Sequence, residues 1–136
     1  MENVELEIKS NELLGMLSSY YSNKLNKKIE VKEHHSIEYE GIYENEVVDV
    51  KIYYEEEIEI LGHKAKKTTI ISPDEVMSIM RELINEDYDV NSIYFQTDIS
   101  DSDYCQRKSP IFHGVKLILS EKQKKLQKKM MDHENV

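Results

Sequence analysis

The chain has 136 residues but only one cysteine, two prolines, four glycines and no tryptophan. Because an internal disulfide needs two cysteines, Cys105 cannot form one, and a hydrophobic core must hold the fold. The first 30 residues lack a basic start followed by an apolar stretch, and every apolar run is far shorter than the roughly 20 residues that span a bilayer. We therefore expect a cytoplasmic protein that has no membrane partner.

Metal-binding patterns are missing as well. The histidines and Cys105 have neither the Cys-x-x-Cys nor the His-x-x-x-His spacing of common zinc sites, so we interpret the histidines as turn and strand-surface residues. Asp98, Asp101 and Asp103 resemble half of a calcium loop, but the required glycine and closing glutamate are absent. The sequence predicts no metal site and no other cofactor.

A catalytic site cannot be assembled from these residues. If Cys105 were a nucleophile and His113 its base, an oxyanion site and a third, orienting group would also be needed, and the sequence identifies neither. We therefore predict that the protein is not an enzyme.

Charge is abundant and unevenly distributed. The formal net charge is -9, and residues 30–60 carry the whole excess, with eleven acidic residues against Lys32 and Lys51. The stretch from Glu121 onward is basic, with five lysines against three acidic residues. An acidic surface repels phosphates, so we expect no direct contact with nucleic acid.

The acidic run lies within VVDVKIYYEEEIEI, residues 47–60, where apolar and polar side chains alternate with a period of two. This pattern is typical of an antiparallel strand with one solvated face. Since consecutive strand residues point to opposite sides, Glu55, Glu56 and Glu57 cannot converge on one cation. Glu56 is the exception on the apolar side, so a bulge, an open sheet edge or a basic partner must relieve its burial.

Two amphipathic helices are predicted on either side of this region. Ser10 is a candidate N-cap for a helix that runs to about Leu25. Ser72-Pro73-Asp74-Glu75 has the features of a second helix start: a capping serine, proline at the first helical position and glutamate at the third. The predicted buried side of this second helix consists of Val76, Met77, Met80, Leu83 and Ile84.

Alternating patterns also predict strands over 29–39, 64–71, 93–99 and 112–119, after a short alternating start at Val4, Leu6 and Ile8. A turn near Leu61-Gly62-His63 would place Lys64, Lys66 and Lys67 opposite the glutamates. The predicted fold is a single two-layer α+β domain over residues 1–120, with a mainly antiparallel sheet of about five strands and both helices on one face. Residues 121–136 would form a lysine-rich C-terminal helix or tail.

The acidic strand face suggests a function in protein binding. Asp49, Glu55, Glu57 and Glu59 share the solvated side and would bind the basic surface of a partner protein. The first hypothesis is therefore a non-catalytic acidic interaction or inhibitor protein, which the abundance of Lys, Glu, Ile, Asn and Tyr associates with a phage or mobile element. Edge strands of such a sheet are open to a second copy, so a homodimer is also predicted.

An alternative function rests on the polar segment 100–110, which is long for a hairpin connection. Its Arg107 and Lys108 would hold an anionic, nucleotide-like ligand while Tyr104 stacks on a ring. The two hypotheses place binding on different parts of the chain.

Overall fold

The computed structural model of the chain describes residues 3–40, 45–84, 87–101 and 108–122. These residues form six strands and two helices. In chain order they are β1 (Asn3–Lys9), α1 (Ser10–Leu25), β2 (Lys32–Glu40), β3 (Asn45–Ile60), β4 (His63–Ile71), α2 (Pro73–Leu83), β5 (Tyr88–Asp101) and β6 (Lys108–Glu121). The α+β class is confirmed, while all but the first two residues of the predicted C-terminal helix lie outside the described ranges.

The strands form two antiparallel sheets of three strands each, so the prediction of one five-stranded sheet is wrong. The terminal sheet has the order β1-β6-β5, and the middle sheet has the order β2-β3-β4. In the terminal sheet β1 pairs with β6 along its whole length, from Asn3 opposite Ser120 to Lys9 opposite Gly114. Alternation within a segment predicts a strand but does not specify a partner so distant along the chain.

The structure confirms one of the two predicted helix N-caps. Ser72 caps α2, because its Oγ accepts a hydrogen bond from the Glu75 backbone N–H at 3.2 Å. The N-cap of α1 is Lys9 rather than Ser10, and no side chain caps that end. Neither described helix is both long and apolar enough to cross a membrane.

The core joins both helices to both sheets. Helix α1 packs against β6 and β1, and α2 packs against β5. Tyr21 of α1 contacts Tyr54 of β3 with ring centroids 4.8 Å apart, and burial raises the pKa of Tyr21 to about 12. On α2, Val76 and Met80 are buried as predicted, but the predicted Leu83 is half-exposed and Ile79, which the prediction omitted, is buried.

The segment predicted as a loop over 100–110 is shorter in the structure. Strand β5 continues to Asp101, β6 begins at Lys108, and Ser100 pairs with Ser109. Both ends of the predicted loop therefore belong to a hairpin, and only residues 102–107 lie outside the described chain.

Candidate functional site

The predicted alternation over residues 47–60 is present in β3. Strand β3 pairs with β2 and β4 without a register shift, so its odd-numbered and even-numbered side chains lie on opposite faces of the middle sheet. The even-numbered face contributes Ile52 and Tyr54 to the core. The outer face of the middle sheet is the opposite surface, formed by Lys32, His34, Ser36, Glu38, Val47, Asp49, Lys51, Tyr53, Glu55, Glu57, Glu59, Lys64, Lys66, Thr68 and Ile70.

The four predicted partner-binding acids all lie on this outer face. Two of them are paired with lysines of β4: Glu57 Oε1 lies 3.6 Å from Lys64 Nζ, and Glu55 Oε2 lies 3.4 Å from Lys66 Nζ. The other two, Asp49 and Glu59, form no salt bridge with any residue in the described ranges.

The face as a whole is mixed in charge. Its acidic residues are Glu38, Asp49, Glu55, Glu57 and Glu59, and its basic residues are Lys32, Lys51, Lys64 and Lys66. Residues 30–60 alone suggest a much larger negative charge because Lys64 and Lys66 come from β4, outside that segment. The sequence predicts these cross-strand lysines, but the net charge of a face depends on all three strands together.

An apolar centre interrupts the charges on the outer face. Tyr53 lies directly opposite Ile70 on the neighbouring strand, and Ile70 is 58% exposed. Val47 is a further exposed apolar side chain on the same face. An aromatic and aliphatic centre surrounded by polar groups is the usual composition of a protein-binding surface.

Glu56 lies on the inner side, where its side chain is only 12% exposed. Of the three expected ways to relieve its burial, the structure shows the basic partner: Lys27 Nζ forms a salt bridge with Glu56 Oε2. Lys27 is positioned by the end of α1, where Asn26 adopts a left-handed φ of 52°. The sequence indicated the need for a partner but not which lysine supplies it.

The alternative ligand site is described only at Lys108, since Tyr104 and Arg107 fall outside the described ranges. Lys108 Nζ lies 2.5 Å from Glu46 Oε1 of β3. The Lys108 ammonium is thus paired with an acid of the middle sheet.

No group of three or more potential ligand side chains among residues 3–40, 45–84, 87–101 and 108–122 is arranged to hold a metal ion. His113 Nε2 lies 3.9 Å from Asp98 Oδ2, and both side chains are exposed. Cys105, the candidate nucleophile, lies outside these ranges.

A groove between α1 and α2 was not predicted. It is open, has a volume of about 1040 Å³, and is lined by Glu12, Gly15, Met16, Ser19, Tyr20, Asn23, Lys24, Glu82 and Leu83. At one end Tyr20 Oη donates a hydrogen bond to Glu82 Oε2 at 2.9 Å, and this bond is the main reason that the pKa of Tyr20 is raised. The sequence predicted that Leu83 is buried in the core, so it gave no sign that Leu83 lines a groove.

A second unpredicted feature is an unpartnered pair of groups on β2. Glu33 Oε2 and His35 Nδ1 are buried atoms that have no hydrogen-bond partner in the described part of the chain. Burial raises the pKa of Glu33, and the nearby His35 partly opposes that rise. The raised pKa makes the Glu33 carboxylate sensitive to pH.

Comparisons with protein-family models, with curated proteins and with solved structures find no match to this chain.

Proposed function

We propose that the protein is a non-catalytic interaction module that binds a basic surface of a partner protein through the outer face of its middle sheet. The observation that supports this proposal is the composition of that face, where the apolar pair Tyr53 and Ile70 lies among five acidic and four basic side chains. The apolar centre would be buried against the partner, and the carboxylates around it would select basic side chains.

The internal salt bridges on this face do not oppose such binding. The side chains of Lys64 and Lys66 are 87% and 71% exposed, and ion pairs this exposed stabilise a fold by about 0 to 1 kcal/mol each. Arginine or lysine side chains of a partner can therefore replace them at Glu57 and Glu55 at little cost. Asp49 and Glu59 need no such replacement, because neither is paired within the described residues.

A capture experiment at two salt concentrations tests the proposal. The immobilised chain should retain a partner from a lysate of its source organism at low salt and lose much of it at high salt, because screening weakens contacts between exposed charges. Asp49→Lys combined with Glu59→Lys should abolish capture by repelling the basic partner.

A matched control makes the same change in net charge on the terminal sheet instead of the outer face. Glu7 and Asp89 are exposed residues of the terminal sheet, and Glu7→Lys with Asp89→Lys should leave capture unchanged. Equal loss of capture in both double variants would show that only net charge matters, and retention by the Asp49 and Glu59 variant would refute binding through the outer face.

The cytoplasmic location and the phage or mobile-element origin belong to this proposal as predictions. The partner would then be a cytoplasmic protein of the host, and inhibition of that protein would be the effect of binding. A purified partner from the capture experiment would allow its activity to be assayed with and without the chain.

The alternative of an anionic-ligand module at Tyr104, Arg107 and Lys108 predicts a different result. A nucleotide that binds only the folded chain must raise its melting temperature, and Arg107→Ala must remove that rise. The pairing of Lys108 with Glu46 makes this site the weaker of the two candidates, because a ligand would first have to displace a carboxylate.

A further inference from the structure

The far end of the β3–β4 hairpin extends beyond the core of the protein. We define the arm as residues 57–66, which follow Glu56 on β3 and include the first part of β4. None of these residues is buried or packed against the hydrophobic core. The arm is thus a ribbon of two strands, whose inner side carries the apolar side chains of Ile58, Ile60 and Ala65.

A ribbon of two strands is at best marginally stable in water without a surface to cover its apolar side. Ile60 is 53% exposed on that side. Ile58 and Ala65 are partly buried, so the inner side of the arm is an apolar surface that its own described chain covers only in part.

The tip of the arm has an unusual residue at a strained position. Leu61 and Gly62 have φ values of 54° and 79°, as in a type I′ turn, for which Asn-Gly is the preferred sequence. A leucine with positive φ is disfavoured, and Leu61 is 93% exposed, so packing within the described chain does not offset that cost. Leu61 serves neither the turn nor the core, which points to a contact outside the chain.

The groove between α1 and α2 has complementary properties. Met16 and the half-exposed Leu83 give it apolar walls, and Gly15 lies in the middle of α1 beside them. A Cβ added at Gly15 would meet nothing within 4 Å, so the packing of the monomer does not require glycine there. Glycine destabilises a helix relative to alanine, but it lets another surface approach the helix backbone closely.

We propose that the arm of one copy of the chain docks in the α1–α2 groove of a second copy, and that the exchange is reciprocal. Charge complementarity favours this occupant: His63 and Lys64 follow Leu61 on the arm, and Glu12 and Glu82 line the groove. Opposite charges are also available the other way round, because the arm carries the acidic Glu59 and the groove contains the basic Lys24. A twofold exchange forms two such contacts per dimer.

This inference is independent of the proposed function. Docking uses the inner side of the arm, its tip and the two outer-face residues nearest the tip, Glu59 and Lys64, so the rest of the outer face, with Asp49, Tyr53 and Ile70, remains available for a partner. It also differs from edge-strand pairing, since the contact joins a hairpin to two helices.

Cysteine cross-linking between two different variants tests the docking directly. In a Cys105→Ser background, chains with Leu61→Cys and chains with Ser19→Cys are mixed under mild oxidation, because Ser19 is an exposed residue that lines the groove. A disulfide-linked pair of one chain of each kind is expected. Ser78→Cys, on an exposed position of α2 outside the groove, should give no such product with Leu61→Cys.

A second variant separates folding from docking. Leu61→Asn supplies the preferred type I′ residue, so the monomer should unfold at a higher temperature, while dimerisation measured by sedimentation should weaken roughly tenfold or more. Tyr94→Asn removes an apolar side chain that is 57% exposed elsewhere and should leave dimerisation unchanged. A wild-type chain that stays monomeric, a Leu61→Asn dimer as tight as wild type, or equal cross-linking at Ser19 and Ser78 would overturn the proposal.

Discussion

The central strands of the two sheets have the same alternating pattern but different environments. In β6, Phe112, Val115, Leu117 and Leu119 are all buried, whereas in residues 46–60, the part of β3 whose burial is described, only Ile52 and Tyr54 are buried. The difference arises because both helices pack on strands of the terminal sheet. A period of two identifies a strand with two unlike faces, but the neighbouring elements decide whether the apolar face becomes core or contact surface.

The largest difference between the two sheets is expected in the free energy of unfolding that is lost when a glycine is replaced by alanine. A Cβ at Gly114 of β6 would collide with the carbonyl oxygen of Ile8 and lie 2.9 Å from the Lys9 backbone, and the φ of Gly114 is 139°. Gly114→Ala should therefore cost about 3 kcal/mol or more of unfolding free energy. Denaturant unfolding measures the loss.

Gly62→Ala in the arm is the matched control. Gly62 also has a positive φ, of 79°, but an added Cβ would meet nothing within 4 Å. Only the conformational cost remains, about 1 kcal/mol. Equal losses at the two glycines would contradict the distinction between a packed sheet and a projecting arm.

An intermediate effect is expected where the arm begins. Lys27→Ala removes the partner of Glu56, a carboxylate with little access to water, and should destabilise the fold by about 1 to 2 kcal/mol. Lys66→Ala breaks an exposed pair with Glu55 and should cost less than about 0.5 kcal/mol. Thermal unfolding of both variants at low salt measures the two destabilisations. If Lys27→Ala destabilised the fold no more than Lys66→Ala, the salt bridge to Glu56 would not be the stronger of the two.

The smallest effect is a dependence on pH at β2. Because burial raises the pKa of Glu33 in the folded chain, the folded state takes up a proton before the unfolded state does as the pH falls. The free-energy penalty of the charged Glu33 carboxylate is therefore fully present above the raised pKa and is relieved as the pH falls through it.

Glu33→Gln tests this sign. The variant should have a slightly higher melting temperature than wild type at pH 7, and the difference should shrink as the pH approaches 4.5, the ordinary value for glutamate. Glu38→Gln, an exposed position on the same strand, should show no such trend. A Glu33→Gln chain that is less stable at pH 7 would contradict an uncompensated carboxylate at this site.

Local signals in the sequence predicted the order of the elements and the faces of β3. Ser72 and Pro73 defined the start of α2, and the alternation from Val47 to Ile60 assigned Glu55 and Glu57 to the outer side. These predictions succeed because capping and alternation depend on residues close together in the chain.

Features that depend on distant residues were not predicted. The pairing of β1 with β6 divides the strands into two sheets, and Lys27 reaches Glu56 across a long stretch of sequence. The exposure of Leu83 depends on how the two helices are spaced, although its position follows the apolar stripe of α2. Tertiary packing decides all three, and a helical or alternating period contains no information about it.

Hydrogen exchange of the backbone amides at a concentration where the chain is monomeric tests the central distinction most directly. Amides of the arm, residues 57–66, should exchange roughly a hundredfold faster than those of β6 between Val115 and Leu119, because the arm opens locally while β6 opens only when the whole fold unfolds. Equal protection of the arm and β6 in the monomer would show that the arm is part of the stable core rather than a contact element.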